Sequence, residues 1–183
     1  MSQSNPKDTI RQQLRRQRNA LSSQQVQQHS HRIVTTLRDS QLWQQARHVG
    51  LYLPINNEVD LTDLLNDDKC CYLPSVQDTM MQFHRHRNEM ILNTTAYGLS
   101  QPAFVANHKR PQLDVCFLPL VGFDARGHRL GMGGGFYDRY FKDNQDTILV
   151  GVAHALQQCE SLPIDPWDVK LHSILTEQNW IKT

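Results

Sequence analysis

The chain has 183 residues, of which 39% are hydrophobic and 20% charged, and its formal net charge is +1. This composition is ordinary for a water-soluble globular protein, and the length favours a single domain over residues 1–183. No apolar run is long enough to span a membrane, and the polar, basic N-terminal stretch lacks the apolar segment of a secretory signal. We therefore expect a cytoplasmic protein whose four cysteines are reduced.

Basic charge is concentrated at the start of the chain. Residues 1–38 carry seven Lys or Arg side chains and only one acid, Asp8. Such a segment suits a nucleic acid or a phosphorylated small molecule, although composition alone favours a solvated helix face. The same segment predicts two helices. Asn5 and Pro6 are a typical cap and first residue, and Ser22 with Gln25 forms the capping-box pattern of the second helix.

After Trp43 the pattern changes to short apolar runs. They predict helices over 61–67 and through Tyr137 to Phe141, and strands at 48–54, 69–76, 81–86, 114–123, 147–154 and 172–177. Strands that alternate with helices predict an α/β fold with a largely parallel sheet. Ligands of such sheets bind beyond the carboxyl ends of the strands. We therefore expect the functional site at the ends of strands 48–54, 114–123 and 147–154.

The segment RLGMGGGFYDR (129–139) places four glycines just before a predicted helix. Glycines allow positive φ and close backbone approach, and a following helix N-terminus favours an anion, so the segment predicts a nucleotide or phosphate site. Arg129 and Arg139 would add charge, and Asp138 is either a Mg²⁺ ligand or a favourable first-turn acid. The segment is neither a P-loop, since it lacks G-K-[ST], nor a good Rossmann fingerprint. A flexible surface loop is the less favoured alternative.

Four stretches together resemble the 5-formyltetrahydrofolate cyclo-ligase (5,10-methenyltetrahydrofolate synthetase) family. The most specific is RLGMGGGFYDRYF, preceded by PLVGFDARGH. The others are the pair Lys7 and Arg11 in a K-x-x-x-R pattern, YLPINNEVD (52–60) and LPIDPWDVK (162–170). The resemblance covers nearly the whole chain. It implies a three-layer α/β/α domain akin to the sugar-phosphate isomerase and CoA-transferase group.

The resemblance also implies a reaction. It is the ATP- and Mg²⁺-dependent conversion of 5-formyltetrahydrofolate to 5,10-methenyltetrahydrofolate, with release of ADP and phosphate. The implied partners are these small molecules alone, without nucleic acid or membrane, and a monomer is expected. Many family members carry Lys where this chain has Gly134. Its absence removes a contact to the γ-phosphate that Arg129 or Arg139 would have to replace.

Motif positions carry the family's roles onto this chain. The expected catalytic residues are Arg129, Tyr137 and Asp138, and the expected metal ligands are Asp138 and Asp168. The expected ATP-binding residues are Lys7, Arg11, Arg129, Leu130, Gly131, Met132, Gly133, Gly134, Gly135, Phe136 and Tyr137. The expected folate-binding residues are Leu53, Glu58, Tyr97, Met132, Gly133, Gly134, Gly135 and Phe136.

Two alternative functions stay open at this stage. One is a nucleic-acid-binding module that uses the basic N-terminal helices, and the other is a non-catalytic folate or nucleotide binder. The first has no RNA-binding signature to support it, and the intact charges of the site argue against the second. Several other groups are given structural roles. His84 with His86 and His29 with His31 are not expected to bind metal, Asp165 is expected at the surface, and Trp167 is expected in the core or covering it.

Overall fold

The computed structural model describes residues 5–94, 100–143 and 146–183. Within these ranges the chain forms helices α1 (Pro6–Asn19), α2 (Ser23–Arg38), α3 (Gln41–Gln45) and α4 (Phe136–Phe141), and 3₁₀ helices at Thr62–Asn66 and Ala155–Gln157. The strands are β1 (His48–Gly50), β2 (Cys70–Gln77), β3 (Met80–Arg85), β4 (Leu92–Thr94), β5 (Ser100–Pro102), β6 (Val115–Pro119), β7 (Gly122–Asp124), β8 (Arg129–Leu130), β9 (Ile148–Val152), β10 (Gln158–Cys159), β11 (Ser173–Leu175) and β12 (Trp180–Lys182).

The two N-terminal helices begin where their caps predict. The Asn5 side chain accepts a hydrogen bond from the Lys7 N–H at 3.0 Å, and Pro6 opens α1. Ser22 and Gln25 form the reciprocal capping box at the start of α2. These caps satisfy backbone N–H groups that have no partner inside the helix, which is why the sequence marks the starts so clearly.

A seven-stranded sheet in the order β12-β11-β9-β6-β1-β2-β3 forms the centre of the fold. The inner strands from β11 to β2 are parallel, and the two edge strands, β12 and β3, are antiparallel to their neighbours. This arrangement confirms the predicted α/β class with a largely parallel sheet.

The central strand β6 is buried on both faces. Val115 and Phe117 pack into one core with α2 and α3, whereas Cys116 and Leu118 pack into a second core with Phe141 of α4. Burial on both faces explains why this strand reads as a continuous apolar run instead of an alternating one. None of the described helices is both long and apolar enough to cross a membrane.

Three predicted elements differ in the structure. The apolar run 114–123 is two strands, because β6 ends at Pro119 and β7 pairs with β8 and β10 in a separate three-stranded sheet. The strand predicted over 48–54 ends at Gly50, and the helix predicted over 61–67 is the 3₁₀ helix Thr62–Asn66. Hydrophobicity reports burial, and it does not say which neighbour a strand pairs with.

Candidate functional site

An open cleft of ≈ 630 Å³ lies at the carboxyl ends of β1 and β6. Leu53 and Glu58 follow β1, and Pro119 ends β6, so two of the three expected strand ends do line it. The third strand end does not. His154, which follows β9, lies elsewhere against α2.

The cleft brings together every predicted site residue that the structure describes. These are Lys7, Arg11, Leu53, Glu58, Arg129, Leu130, Gly131, Met132, Gly133, Gly134, Gly135, Phe136, Tyr137, Asp138 and Asp168. Tyr97 lies outside the described residues. Asp165 and Trp167 also line the cleft. The Asp165 side chain is 41% exposed, as expected of a surface charge, whereas Trp167 does not lie in the core. Trp167 is 65% exposed, which leaves its ring available at the mouth of the cleft.

The glycine segment is held open beside the cleft. Gly133 and Gly135 have φ values of 105° and 63°, which L side chains rarely adopt. Arg11 Nε donates to the Gly131 carbonyl at 2.9 Å, and Arg139 Nη2 donates to the Gly134 carbonyl at 2.7 Å. Within the described residues no protein acceptor takes the amide hydrogens of residues 132–134. The loop therefore presents free amide donors next to two guanidinium groups, an arrangement that suits an anion.

Arg129 lies beneath this loop and is almost fully enclosed. Its Nη2 donates to Asp138 Oδ1 at 2.6 Å, and the same oxygen accepts from the Val169 N–H at 3.0 Å. The Arg129 Nε is buried without a hydrogen-bond partner among the described residues. A buried, unpaired donor on a cation is costly. Its position at a cleft is consistent with a ligand that supplies the missing acceptor.

Lys7 from α1 meets the acidic segment 165–168 across the cleft. Its Nζ lies 2.7 Å from Asp165 Oδ2 and 2.6 Å from Asp168 Oδ2. Burial alone would lower the pKa of Lys7, but the hydrogen bonds to the two carboxylates outweigh it and raise the pKa, so Lys7 stays charged. Asp165 stands three residues before Asp168, and this spacing was the sequence signal for its place in the site.

The donor set of the cleft fits Mg²⁺. Asp138, Asp165 and Asp168 contribute carboxylates, and their hydrogen bonds from described residues use one oxygen of each group. The other oxygens stay available as ligands. Mg²⁺ is usually bound by one or two carboxylates together with substrate phosphates. Asp138 and Asp168 are thus suited to a metal that arrives with a nucleotide.

Glu58 forms the opposite wall and is paired with a buried arginine. Its Oε1 accepts from Arg18 Nη1 at 3.3 Å, and its Oε2 accepts from the Ile55 N–H at 3.1 Å. Burial raises the pKa of Glu58, and Arg18 partly offsets this shift. Arg18 was not predicted from the sequence as a site residue. Its signal was the helical spacing of positions 7, 11, 14 and 18, which places all four on one stripe of α1.

Comparison with known proteins identifies one family along nearly the whole chain. Residues 3–177 match the 5-formyltetrahydrofolate cyclo-ligase family. The chain belongs to this family. It is 36% identical over 142 residues to the 5-formyltetrahydrofolate cyclo-ligase of Haemophilus influenzae, covering 72% of this chain and 76% of that protein. It is 32% identical over 176 residues to the Escherichia coli enzyme, covering 89% and 96%.

A solved structure of a cyclo-ligase family member also superposes on this chain. The Aquifex aeolicus 5,10-methenyltetrahydrofolate synthetase matches with a TM-score of 0.82 and 31% identity, covering 96% of this chain and 92% of that one. Family membership confirms the sequence-based prediction of an enzyme of the cyclo-ligase class.

Proposed function

We propose that the protein converts 5-formyltetrahydrofolate to 5,10-methenyltetrahydrofolate in a reaction that consumes ATP and requires Mg²⁺. One observation carries the proposal. The glycine segment with its unpaired amides, the cations Lys7, Arg11 and Arg129, and the acid Glu58 all line one cleft in a member of the cyclo-ligase family. That cleft offers an anion cradle and a separate hydrogen-bonding wall, as a reaction between a nucleotide and a folate needs.

The nucleotide phosphates are proposed to lie along residues 129–137. The amides of residues 132–134 would bind phosphate oxygens, and Arg11 and Arg129 would neutralise their charge. The unpaired Nε of Arg129 supports this role, because a phosphate oxygen would satisfy it. Lys7 lies one helical turn before Arg11 on α1, so both reach the same part of the cleft.

The metal is proposed to bind between Asp138 and Asp168. When bound there, Mg²⁺ would shield the phosphate charge during transfer. The protein's contribution is to hold the carboxylates in place, through Arg129 and the Val169 amide at Asp138 and through Lys7 at Asp168. These contacts restrict the rotamers of both acids.

The pterin of the folate is proposed to lie against Glu58. The Glu58 carboxylate would accept hydrogen bonds from the N–H groups of the pterin ring. Leu53, Met132 and Phe136 would provide apolar contacts. Tyr97 is kept as a further proposed folate contact. Met132 is 46% exposed at the cleft, which leaves apolar surface for a ligand to cover.

In the proposed reaction the oxygen of the N5-formyl group attacks the γ-phosphorus of ATP. The bond between the γ-phosphorus and the β,γ-bridging oxygen breaks, and ADP is released. The activated carbon is then attacked by the N10 lone pair, the C–O bond breaks, and the former formyl oxygen leaves within inorganic phosphate together with the N10 proton. Burial raises the pKa of Tyr137 well above its ordinary range, so its phenol stays protonated and would donate to the transferring group. Positioning and charge neutralisation suffice for this chemistry, so no nucleophilic side chain is required.

A coupled assay tests the proposal. The protein is mixed with 5-formyltetrahydrofolate, ATP and Mg²⁺, and the methenyl absorbance and ADP are followed together. Equal amounts of both products are expected, with neither formed when ATP or Mg²⁺ is left out. Binding of either ligand without turnover would favour the non-catalytic alternative, and salt-sensitive binding of RNA without turnover would favour the nucleic-acid module. We further propose that the protein is cytoplasmic and monomeric. Sedimentation tests the monomeric state.

A further inference from the structure

Three potential metal ligands from distant parts of the chain meet outside the cleft. His154 and Glu177 each lie two residues beyond the end of a parallel strand, β9 and β11, whose ends are in register at Val152 and Leu175. His29 reaches them from α2. The parallel pairing brings His154 and Glu177 together at the carboxyl ends of β9 and β11. Helix α2 supplies the third side chain, His29.

The potential ligand atoms are close together. His29 Nδ1 lies 2.9 Å from His154 Nδ1 and 3.9 Å from Glu177 Oε1, and the three ligand atoms lie within 4.8 Å of one another. A zinc ion at about 2.0–2.1 Å from each nitrogen in tetrahedral geometry would place two nitrogens about 3.3 Å apart. The observed separation of the rings therefore needs to widen by only a few tenths of an ångström.

Contacts on the far side of two ligands fix their orientation. His154 Nε2 is 2.9 Å from the Asn57 carbonyl, which it can only approach as a donor, so His154 Nδ1 carries the lone pair. Glu177 Oε2 accepts from the Ala155 N–H at 2.9 Å, which leaves Oε1 directed at His29. Metal-bound histidines typically donate their second ring N–H to a carbonyl or carboxylate in this way.

The three side chains are mostly buried, as is common for a bound metal ion. His154 is fully buried, the Glu177 side chain is 5% exposed, and the His29 side chain is 20% exposed. Burial also lowers the pKa of His154, so this ring is neutral and able to ligate at neutral pH. His29 is the most exposed of the three side chains.

We propose that His29, His154 and Glu177 form a binding site for a divalent transition metal, best matched by Zn²⁺, distinct from the nucleotide cleft. Two imidazoles and one carboxylate are a ligand set that zinc sites use, with a fourth position left for water. Imidazole ligands select Zn²⁺ and its neighbours over Mg²⁺, which prefers oxygen. None of the three residues lines the cleft.

The test is a zinc titration of the untagged, chelator-treated full chain, with excess Mg²⁺ present to occupy carboxylate sites. Calorimetry is expected to show one Zn²⁺ per chain, and Co²⁺ is expected to give the absorption of a tetrahedral nitrogen and oxygen site. The H29Q and E177Q variants are expected to lose at least about tenfold in zinc affinity. The matched control is H31Q, whose side chain is exposed on the same helix and is expected to bind as the wild type does.

Thermal unfolding separates metal loss from fold loss. Zinc is expected to raise the melting temperature of the wild type and H31Q by several degrees and to raise that of H29Q clearly less at the same zinc concentration. His29 is partly exposed, so the metal-free H29Q chain is expected to melt close to the metal-free wild type. Absence of zinc binding by the wild type would mean that His29 and His154 share only a hydrogen bond, and equal affinity in H29Q would place the metal elsewhere. Either result overturns the proposal.

Discussion

Replacing Glu58 with alanine is expected to affect both stability and folate binding, because this carboxylate faces the cleft on one side and Arg18 on the other. Arg18 is 1% exposed and Glu58 is 7% exposed. The Nε and Nη2 of Arg18 are already buried without hydrogen-bond partners among the described residues. In E58A the guanidinium would keep only the Leu120 carbonyl, at 3.4 Å from Nη1, among its described hydrogen-bond contacts.

The magnitude follows from the cost of stranding a buried charge. At the observed 3.3 Å and an effective dielectric constant of about 20, the attraction between the two charges is about 5 kcal/mol before desolvation is counted. Removing one partner of a buried ion pair destabilises proteins by about 3–5 kcal/mol. For a chain of this length that loss corresponds to a fall of roughly 6–20 °C in melting temperature.

Chemical denaturation and steady-state kinetics measure the two effects separately. E58Q has a single carbonyl oxygen, which can accept from Arg18 or from the Ile55 amide but not from both, so it is expected to lose less stability than E58A. It does lose the charged acceptor for the pterin, and the KM for 5-formyltetrahydrofolate is expected to rise about 10- to 100-fold. The KM for ATP is expected to change little. E89A serves as the control, since Glu89 is exposed.

Two results would refute this reasoning. A free energy of unfolding for E58A within about 0.5 kcal/mol of that of E89A would mean that Arg18 is not stranded, since surface substitutions usually fall within that range. An unchanged folate KM in E58Q would remove Glu58 from the folate site.

Three further predictions concern other parts of the molecule. D138N is expected to weaken Mg²⁺ dependence and depress turnover with the fold intact, and near-normal turnover across a Mg²⁺ titration would contradict the ligand role. Burial alone would raise the pKa of Asp124, but hydrogen bonds from His128 and Arg126 outweigh it and lower the pKa below 3.8. The resulting stability is present above pH 3.8 and is lost as the pH falls further. D124N is therefore expected to lower stability at pH 7 by about 1.5–3 kcal/mol and to flatten its decline below pH 4, and a D124N curve parallel to that of wild type would contradict this. G135A is expected to raise the KM for ATP, because φ is 63° there and an added Cβ would lie 2.7 Å from Arg139 Nη1; an unchanged KM would separate the loop from the nucleotide.

Much of the fold was predictable because the signals are local. Helix caps at Asn5 and Ser22 act within a few residues, and the apolar run of β6 reports burial on both faces without reference to its partners. The split of 114–123 into β6 and β7 was not predictable in this way. Both parts are apolar, and only the pairing of β7 with β8 and β10 decides that they belong to different sheets.

The candidate site also has one part that local sequence predicts and another part that depends on the tertiary structure. The sequence by itself determined the glycine segment, the flanking cations and the acids Asp138 and Asp168, because their spacing along the chain is the motif. Only the tertiary structure decided that Arg18 neutralises Glu58, that Asp165 joins Asp168 at Lys7, and that His29 meets His154 and Glu177. Arg18 and Glu58 lie 40 residues apart, His29 and His154 lie 125 apart, and Lys7 lies 158 and 161 residues before Asp165 and Asp168. Their charges and lone pairs meet only after the sheet is formed, and no periodicity in the sequence records such a meeting.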